Sequence, residues 1–160
     1  MTKSTKRLDS LDLKILELLQ RDARMTAEAI AAKVGLTASP CIRRIKQLEE
    51  RGILKGYVAI VDQSNVGLLV SVFLSVKLIR QHEEELEKFA TTVNRWPEVM
   101  ECYLMTGQQD YLIRVVVPDL GSYETFLKAK LTRLENIASI ESSFALSQVK
   151  YTNVLPLSHM

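Results

Sequence analysis

Apolar residues recur at three- and four-residue spacing three times in the first fifty positions, and each recurrence predicts a helix with one buried side. Leu11, Ile15, Leu16, Leu18 and Leu19 line the first, which ends near Arg21. Asp9 or Ser10 is its cap, and Asp12 adds negative charge to its first turn. Thr26 caps a second helix in which Ile30, Ala31 and Val34 face inward, and Gly35 stops it. After a turn of about three residues, Gly35 to Thr37, comes the third, within the stretch 37–52. Ser39 is its expected cap, Pro40 fits its first position, and Gly52 can take the left-handed conformation that ends it. Cys41, Ile45 and Leu48, with Ile42 beside them, form its apolar stripe. Two short helices joined by a tight glycine-containing turn form a helix-turn-helix signature. Residues 53–61, rich in β-branched residues and containing Tyr57, predict the small hairpin of a winged helix. Residues 62–68 are then a polar linker.

From Leu69 the period changes to two. Val70, Val72, Leu74, Val76 and Leu78 alternate with Ser71, Phe73, Ser75 and Lys77, the pattern of a half-buried strand. A helix follows over 83–95 through Leu86, Phe89, Ala90 and Val93, with the acidic start Glu83, Glu84 and Glu85. Residues 99–105 and 111–117 predict a hairpin closed by a loop at 106–110; 122–134 predict a helix, and 137–151 a long last strand. The order is strand, helix, strand, strand, helix, strand, a βαββαβ or ferredoxin-like arrangement with both helices on one face. The chain thus reads as α+β, with a winged helix-turn-helix over 1–61, the linker, and a βαββαβ domain over 69–160. Phe73 and Tyr103 on the open face would form an apolar patch that self-association covers.

Charge changes this picture. The net value of +2 over 160 residues is unremarkable, but residues 1–60 carry 12 Lys and Arg against 7 Asp and Glu, and the remainder 9 against 12. Only the first part is expected to meet a polyanion. Thr37, Ser39, Arg43, Arg44, Lys46 and Gln47 lie off the apolar stripe of the third helix, so they are either a solvated face or a DNA-reading one. Arg can take guanine bidentately or neutralise phosphate, and Gln can bond adenine. Arg51, Lys55, and Lys3, Lys6 and Arg7 are phosphate partners or merely solvated. Cys41 and Cys102 imply neither a disulfide framework nor a thiolate metal site. His82 and His159 have no ligand set at metal spacing. The basic start lacks an apolar core region and so is not a signal peptide, and no apolar run approaches the roughly 20 residues of a membrane span. A cytoplasmic, nucleoid-associated protein is expected. A glycine-rich phosphate loop and Gly-x-Ser-x-Gly are both missing, so the sequence does not read as an enzyme. The rival reading is a ligand-binding regulatory module that acts by protein contact.

Several motifs together resemble one family. They are Leu8-Asp9, Asp12 and Ile15-Leu16; the run from Ser39 to Glu49; Gly52-Ile53 with Tyr57; Trp96-Pro97-Glu98-Val99; Thr106-Gly107 with Asp110-Tyr111; and Ser142 to Ala145, Lys150 to Thr152 and Leu155-Pro156. Across nearly the whole chain they resemble the leucine-responsive regulatory protein and asparagine-regulator family, Lrp/AsnC. Gln108-Gln109 departs from its pattern, in which many members carry an acidic or smaller residue. The resemblance implies a transcription regulator that binds double-stranded DNA as homodimers, often assembled into octamers, with a small amino acid as effector and no other cofactor. By the same resemblance the effector site surrounds Leu104, Met105, Thr106, Gly107, Gln108, Asp110 and Tyr111, faced by Asn136 and Ser139 of a neighbouring subunit. On spacing alone, the favoured reading of that loop is an ordinary hairpin turn in which Gly107 supplies positive φ and Asp110 bonds nearby backbone, and it is the resemblance that turns the reading toward an effector site.

Overall fold

The computed structural model describes residues 7–159. Lys3 and Lys6, counted above among the phosphate partners, lie outside the described residues. The chain divides into two compact units.

The first unit is built from α1 (Ser10–Arg21), α2 (Ala27–Val34) and α3 (Ala38–Glu50). Ile15, Leu16, Leu19, Ile30, Ala31, Val34, Cys41 and Leu48 are buried in one core, which is the inner stripe of each helix. Each helix has a defined start or stop. Asp9 caps α1 and forms a reciprocal box with Asp12, and Thr26 accepts the N–H of Ala29 at 3.2 Å. Gly35 and Gly52 hold φ of 72° and 69°, which lets the chain turn sharply after α2 and α3. After α3 the N–H of Gly52 donates to Glu49 and that of Ile53 to Leu48, at 2.8 and 2.9 Å, a paired closure of the last turn. The start of α3 differs from the expectation: it begins at Ala38 with Thr37 at the cap position, so Pro40 lies inside the first turn. Proline is tolerated there because the first-turn N–H groups have no intrahelical acceptor. The expected hairpin over 53–61 is not formed. No strand ladder occurs there. The segment is tied instead through Leu54, which packs on the core, and Tyr57, which donates to Glu49 at 2.9 Å.

The second unit, Ile60–Val149, contains β1 (Val70–Leu78), α4 (Glu83–Val93), β2 (Val99–Leu104), β3 (Tyr111–Val117), α5 (Leu120–Ala129), a 3-10 turn (Leu131–Arg133) and β4 (Ile137–Phe144). The sheet order is β2-β3-β1-β4, with each neighbour antiparallel. Val72, Leu74, Val76 and Leu78 of β1 are buried with Phe89, Val93, Tyr123, Phe126 and Leu131, so the alternation and both helix stripes converge on one core. Phe73 and Tyr103 lie on the opposite face, 37% and 52% exposed. The residues expected as a linker fold with this unit: Gln63 accepts from Arg114 at 3.1 Å and from Ser71 at 3.3 Å.

The last strand stops at Phe144, well short of Tyr151. It pairs only with β1, and beyond the bond from Ala145 N–H to Ser71 no partner backbone remains. The segment from Lys150 belongs to the first unit instead. There the Gln20 amide accepts from Leu155 N–H at 2.6 Å and donates to its carbonyl at 3.4 Å, while Leu157 packs on the helical core. Leu157→Ala should therefore loosen α1, with amides near Leu19 exchanging about 5- to 30-fold faster, as removal of about 1–2 kcal/mol of apolar burial requires. Unchanged exchange would show that the tail adds nothing to that core.

Candidate functional site

Two regions of the structure hold the residues that the sequence singled out, one in each unit. In the first, burial of Cys41 and Leu48 leaves the opposite side of α3 open. Thr37, Ser39, Arg43, Lys46 and Gln47 are all at least partly exposed there, and Pro40 is half-buried beside them. Arg43 and Lys46 make no ion pair among the described residues. The cap position, Thr37, makes no side-chain hydrogen bond to the first turn, so the positive end of the helix is open as well.

Two side chains depart from the sequence pattern. Ile42, placed by that pattern in the apolar stripe, is 40% exposed among the outward residues, one turn before Lys46. Arg44, placed with the outward cations, is turned back: its Nη1 donates to Asp9 Oδ2 at 2.8 Å and Asp12 Oδ1 at 2.6 Å. The reason is helical geometry: Arg44 lies three residues after Cys41 and four before Leu48, so it stands on the flank beside the buried seam. The Asp12 amide, with help from Arg44, holds the Asp9 carboxyl below the usual carboxylate range. Burial pushes the Cys41 thiol up, which keeps it in the neutral form. Burial and Glu49 together push Tyr57 up to about 12, so its hydroxyl remains a donor at neutral pH.

In the second unit, antiparallel pairing brings the end of β1, the start of β3 and the start of β4 to one end of the sheet. The loop between β2 and β3 closes there. Met105 N–H donates to the Asp110 carbonyl at 2.8 Å, and Asp110 N–H to Val76 at 2.9 Å. Asp110 Oδ2 accepts Leu78 N–H at 2.7 Å. Gly107 has φ of 119°, and the N–H groups of Thr106, Gly107 and Gln108 have no partner among the described residues. Leu104, Met105, Thr106, Gly107 and Gln108 are exposed. Tyr111 is not: its ring packs 4.5 Å from that of Phe89 and its hydroxyl donates to Leu86, which places it in the core and off the loop surface. Gln109, noted in the sequence only as a departure from the family pattern and not counted among the effector residues, has an Oε1 that is buried with no hydrogen-bond partner among the described residues.

Asn136 brackets the backbone of Arg80, accepting its N–H and donating to its carbonyl, both at 3.0 Å. Ser139 is exposed on β4 opposite Lys77. At the same end a groove of about 550 Å³ has Leu78, Ile79, Phe89, Leu134 and Ile137 as its apolar lining and Arg80, Lys88 and Arg133 among its polar residues. Asp110 and Asn136 thus fix the two ends of the short segment Leu78 to Arg80 that borders this groove. Among the described residues no group of three or more His, Cys, Asp or Glu could hold a metal ion, and no helix is long and apolar enough to cross a membrane.

A helix-turn-helix with an open cationic reading face, followed by a βαββαβ domain with a closed loop and a groove at one end of its sheet, defines a DNA-binding regulator with a ligand domain. Comparison with known proteins makes that class specific. The AsnC-type helix-turn-helix domain matches residues 8–49, and the Lrp/AsnC ligand binding domain matches residues 71–155. The chain belongs to the Lrp/AsnC family of transcriptional regulators and is not an enzyme. It is 40% identical over 150 residues to the DNA-binding transcriptional activator DecR of Escherichia coli, covering 94% of this chain and 99% of that protein. It is 42% identical, over 94% of this chain and 98% of the other, to the Bkd operon transcriptional regulator of Pseudomonas aeruginosa. A crystal structure of a transcriptional regulator of Neisseria meningitidis in complex with L-Met superposes with a TM-score of 0.90, at 37% identity, over 96% of this chain and 99% of that one.

The Asp110 contact gives a direct measurement. A hydrogen bond to a carboxylate contributes roughly 1.5–3 kcal/mol, so Asp110→Ala should speed exchange of the Leu78 amide by about 10- to 100-fold while amides of β3 stay protected. Equal deprotection across the sheet would assign Asp110 to global stability.

Proposed function

We propose that this regulator docks α3 in the major groove of double-stranded DNA and answers to a small amino acid held at the loop 104–111. The observation that carries the first half is the open, unpaired cationic face of α3. Arg43 and Lys46 contact phosphate or guanine, Gln47 bonds an adenine edge, and Thr37, Ser39 and the open helix start take backbone phosphate. Pro40 holds the entry of the helix and supplies no donor. Ile42 packs on a thymine methyl group, the one apolar feature of the major-groove edge. One reading helix per chain calls for a homodimer on a near-palindrome with half-sites about one helical turn apart, and dimers assembling into an octamer. The exposed sheet face with Phe73 and Tyr103 supports self-association. Such a protein works in the cytoplasm, on the nucleoid.

For the effector, the free N–H groups at Thr106, Gly107 and Gln108 suit a carboxylate. Asp110 uses one oxygen for Leu78, and its other faces the ammonium. Leu104 and Met105 border the effector side chain, and Asn136 and Ser139 of a neighbouring subunit close the site. Tyr111 acts from beneath, by holding the start of β3 in the core. The Neisseria relative, whose structure is described as a complex with L-Met, makes L-methionine the first amino acid to try.

DNA shift and salt titration test the first half. Wild type should bind specific DNA with a steep salt slope, and Arg43→Ala should lower that slope by about 0.9 for each phosphate it leaves unneutralised. Ile42→Ala should weaken sites with thymine at one position by about 1 kcal/mol and leave the slope alone. Binding to neither specific nor random DNA at moderate salt would turn the assignment toward a protein-contact module. Calorimetry across the amino acids tests the second half: heat for none of them, with folded protein, would remove the sensing role.

A further inference from the structure

Arg44 carries a charge suited to phosphate and stands in the middle of the reading helix, yet its guanidinium is held by α1. The division of oxygens is complete. Asp9 Oδ1 accepts the N–H of Leu11 and of Asp12 at 3.0 and 2.9 Å, which leaves Oδ2 for Arg44. Asp12 Oδ2 accepts Asp9 N–H at 3.3 Å, which leaves Oδ1 for Arg44. The box that starts α1 therefore aims one oxygen of each carboxylate at the same nitrogen on α3. The Asp12 side chain is only 12% exposed and that of Arg44 26%, so the contact is partly shielded from solvent.

Apolar burial joins α1 to α3 through Ile15, Leu16, Cys41 and Leu48 and sets which side of α3 faces inward, but that attraction is non-directional. Charge-assisted hydrogen bonds have direction, and two from one guanidinium to two carboxylates fix both the height and the rotation of α3. Swinging Arg44 out to a phosphate would leave the nearly buried Asp12 Oδ1 without its partner, an unfavourable exchange. We propose that Arg44 is a positioning residue for DNA reading: with Asp9 and Asp12 it sets the register of α3 on α1, and it does not itself touch DNA. The inference rests on the helix-turn-helix reading, and its failure is separable from failure of that reading, because wild-type DNA binding is measured in the same experiment.

The test uses full-length protein and compares specific with random DNA across a salt series for wild type, Arg44→Gln, Arg44→Lys, Asp12→Asn and the Arg44→Gln/Asp12→Asn double variant, with Arg43→Gln as the phosphate-contact reference. For a positioning residue, Arg44→Gln and Asp12→Asn each lower the ratio of specific to random affinity several-fold, the double variant falls no further than either single one, and the salt slope stays that of wild type. The Asp12→Asn arm is the sharpest, because removing a carboxylate from a DNA-binding surface by charge alone would tighten binding. Arg44→Lys keeps the charge and loses the two-carboxylate bridge, so its specificity also falls; it decides the matter if circular dichroism shows Arg44→Gln unfolded. The proposal is overturned if Arg44→Gln lowers the slope by about 0.9 per phosphate and weakens both DNAs equally, as Arg43→Gln does, while Asp12→Asn binds as well as or better than wild type.

Discussion

Cys41 and Leu48 are buried in one core with Ile15 and Ile30, each of the four at 1% exposure or less, and that seam decides which side of α3 is left for DNA. With 3.6 residues per turn, fixing two positions seven apart fixes every other one. Arg43, Lys46 and Gln47 are delivered outward because their neighbours are delivered inward. Changing the polarity at Cys41 or Leu48 would therefore alter the outward face without touching a single residue on it. The closure at Gly52 completes the constraint. It turns the chain away at once after α3, so residues 53–59 leave beside Glu49 and do not extend the helix.

The second unit solves a related problem with a sheet. Its core needs β1 central, since both β3 and β4 pair with it, and the antiparallel register then collects three chain ends and the loop 105–110 in one place. The loop is held from its Asp110 end while its glycine end keeps free donors. In the proposed effector reading, that division leaves the N–H groups at the rim available to a carboxylate. The buried, unpartnered Oε1 of Gln109 adds an acceptor at the same loop.

Much of this is legible in the chain. The period of 3.6 up to Leu48 and of two from Val70 gives helices and strands their places, and Asp9, Thr26, Gly35 and Gly52 mark ends that the structure retains. What escapes is decided by partners distant in sequence. Residues 53–61 have strand composition, but a strand needs a neighbouring backbone and none pairs with them. The last strand reads as continuous to Tyr151, yet its length is set by where β1 begins. Arg44 has the chemistry of a DNA contact, and only the side chains at Asp9 and Asp12 reveal where it points. A signal for it does exist: its spacing from Cys41 and Leu48 puts it beside the buried stripe. The same spacing argument moves Ile42 outward.

The helix α1 carries two loads. Its first turn grips α3 through Asp9 and Asp12, and its last turn grips the chain's own end through Gln20 and Leu155. The chain crosses between the two units twice, once after Ala59 and again after Val149, and the second crossing leads within six residues to the Gln20 contact. A ligand at the sheet end of the second unit can change DNA reading only if it binds one arrangement of the assembly more tightly than another. The segment from Lys150 is held on α1 by the Leu155–Gln20 hydrogen bonds, and α1 is held on α3 by Arg44, so α1 is the element of the first unit that both contacts share.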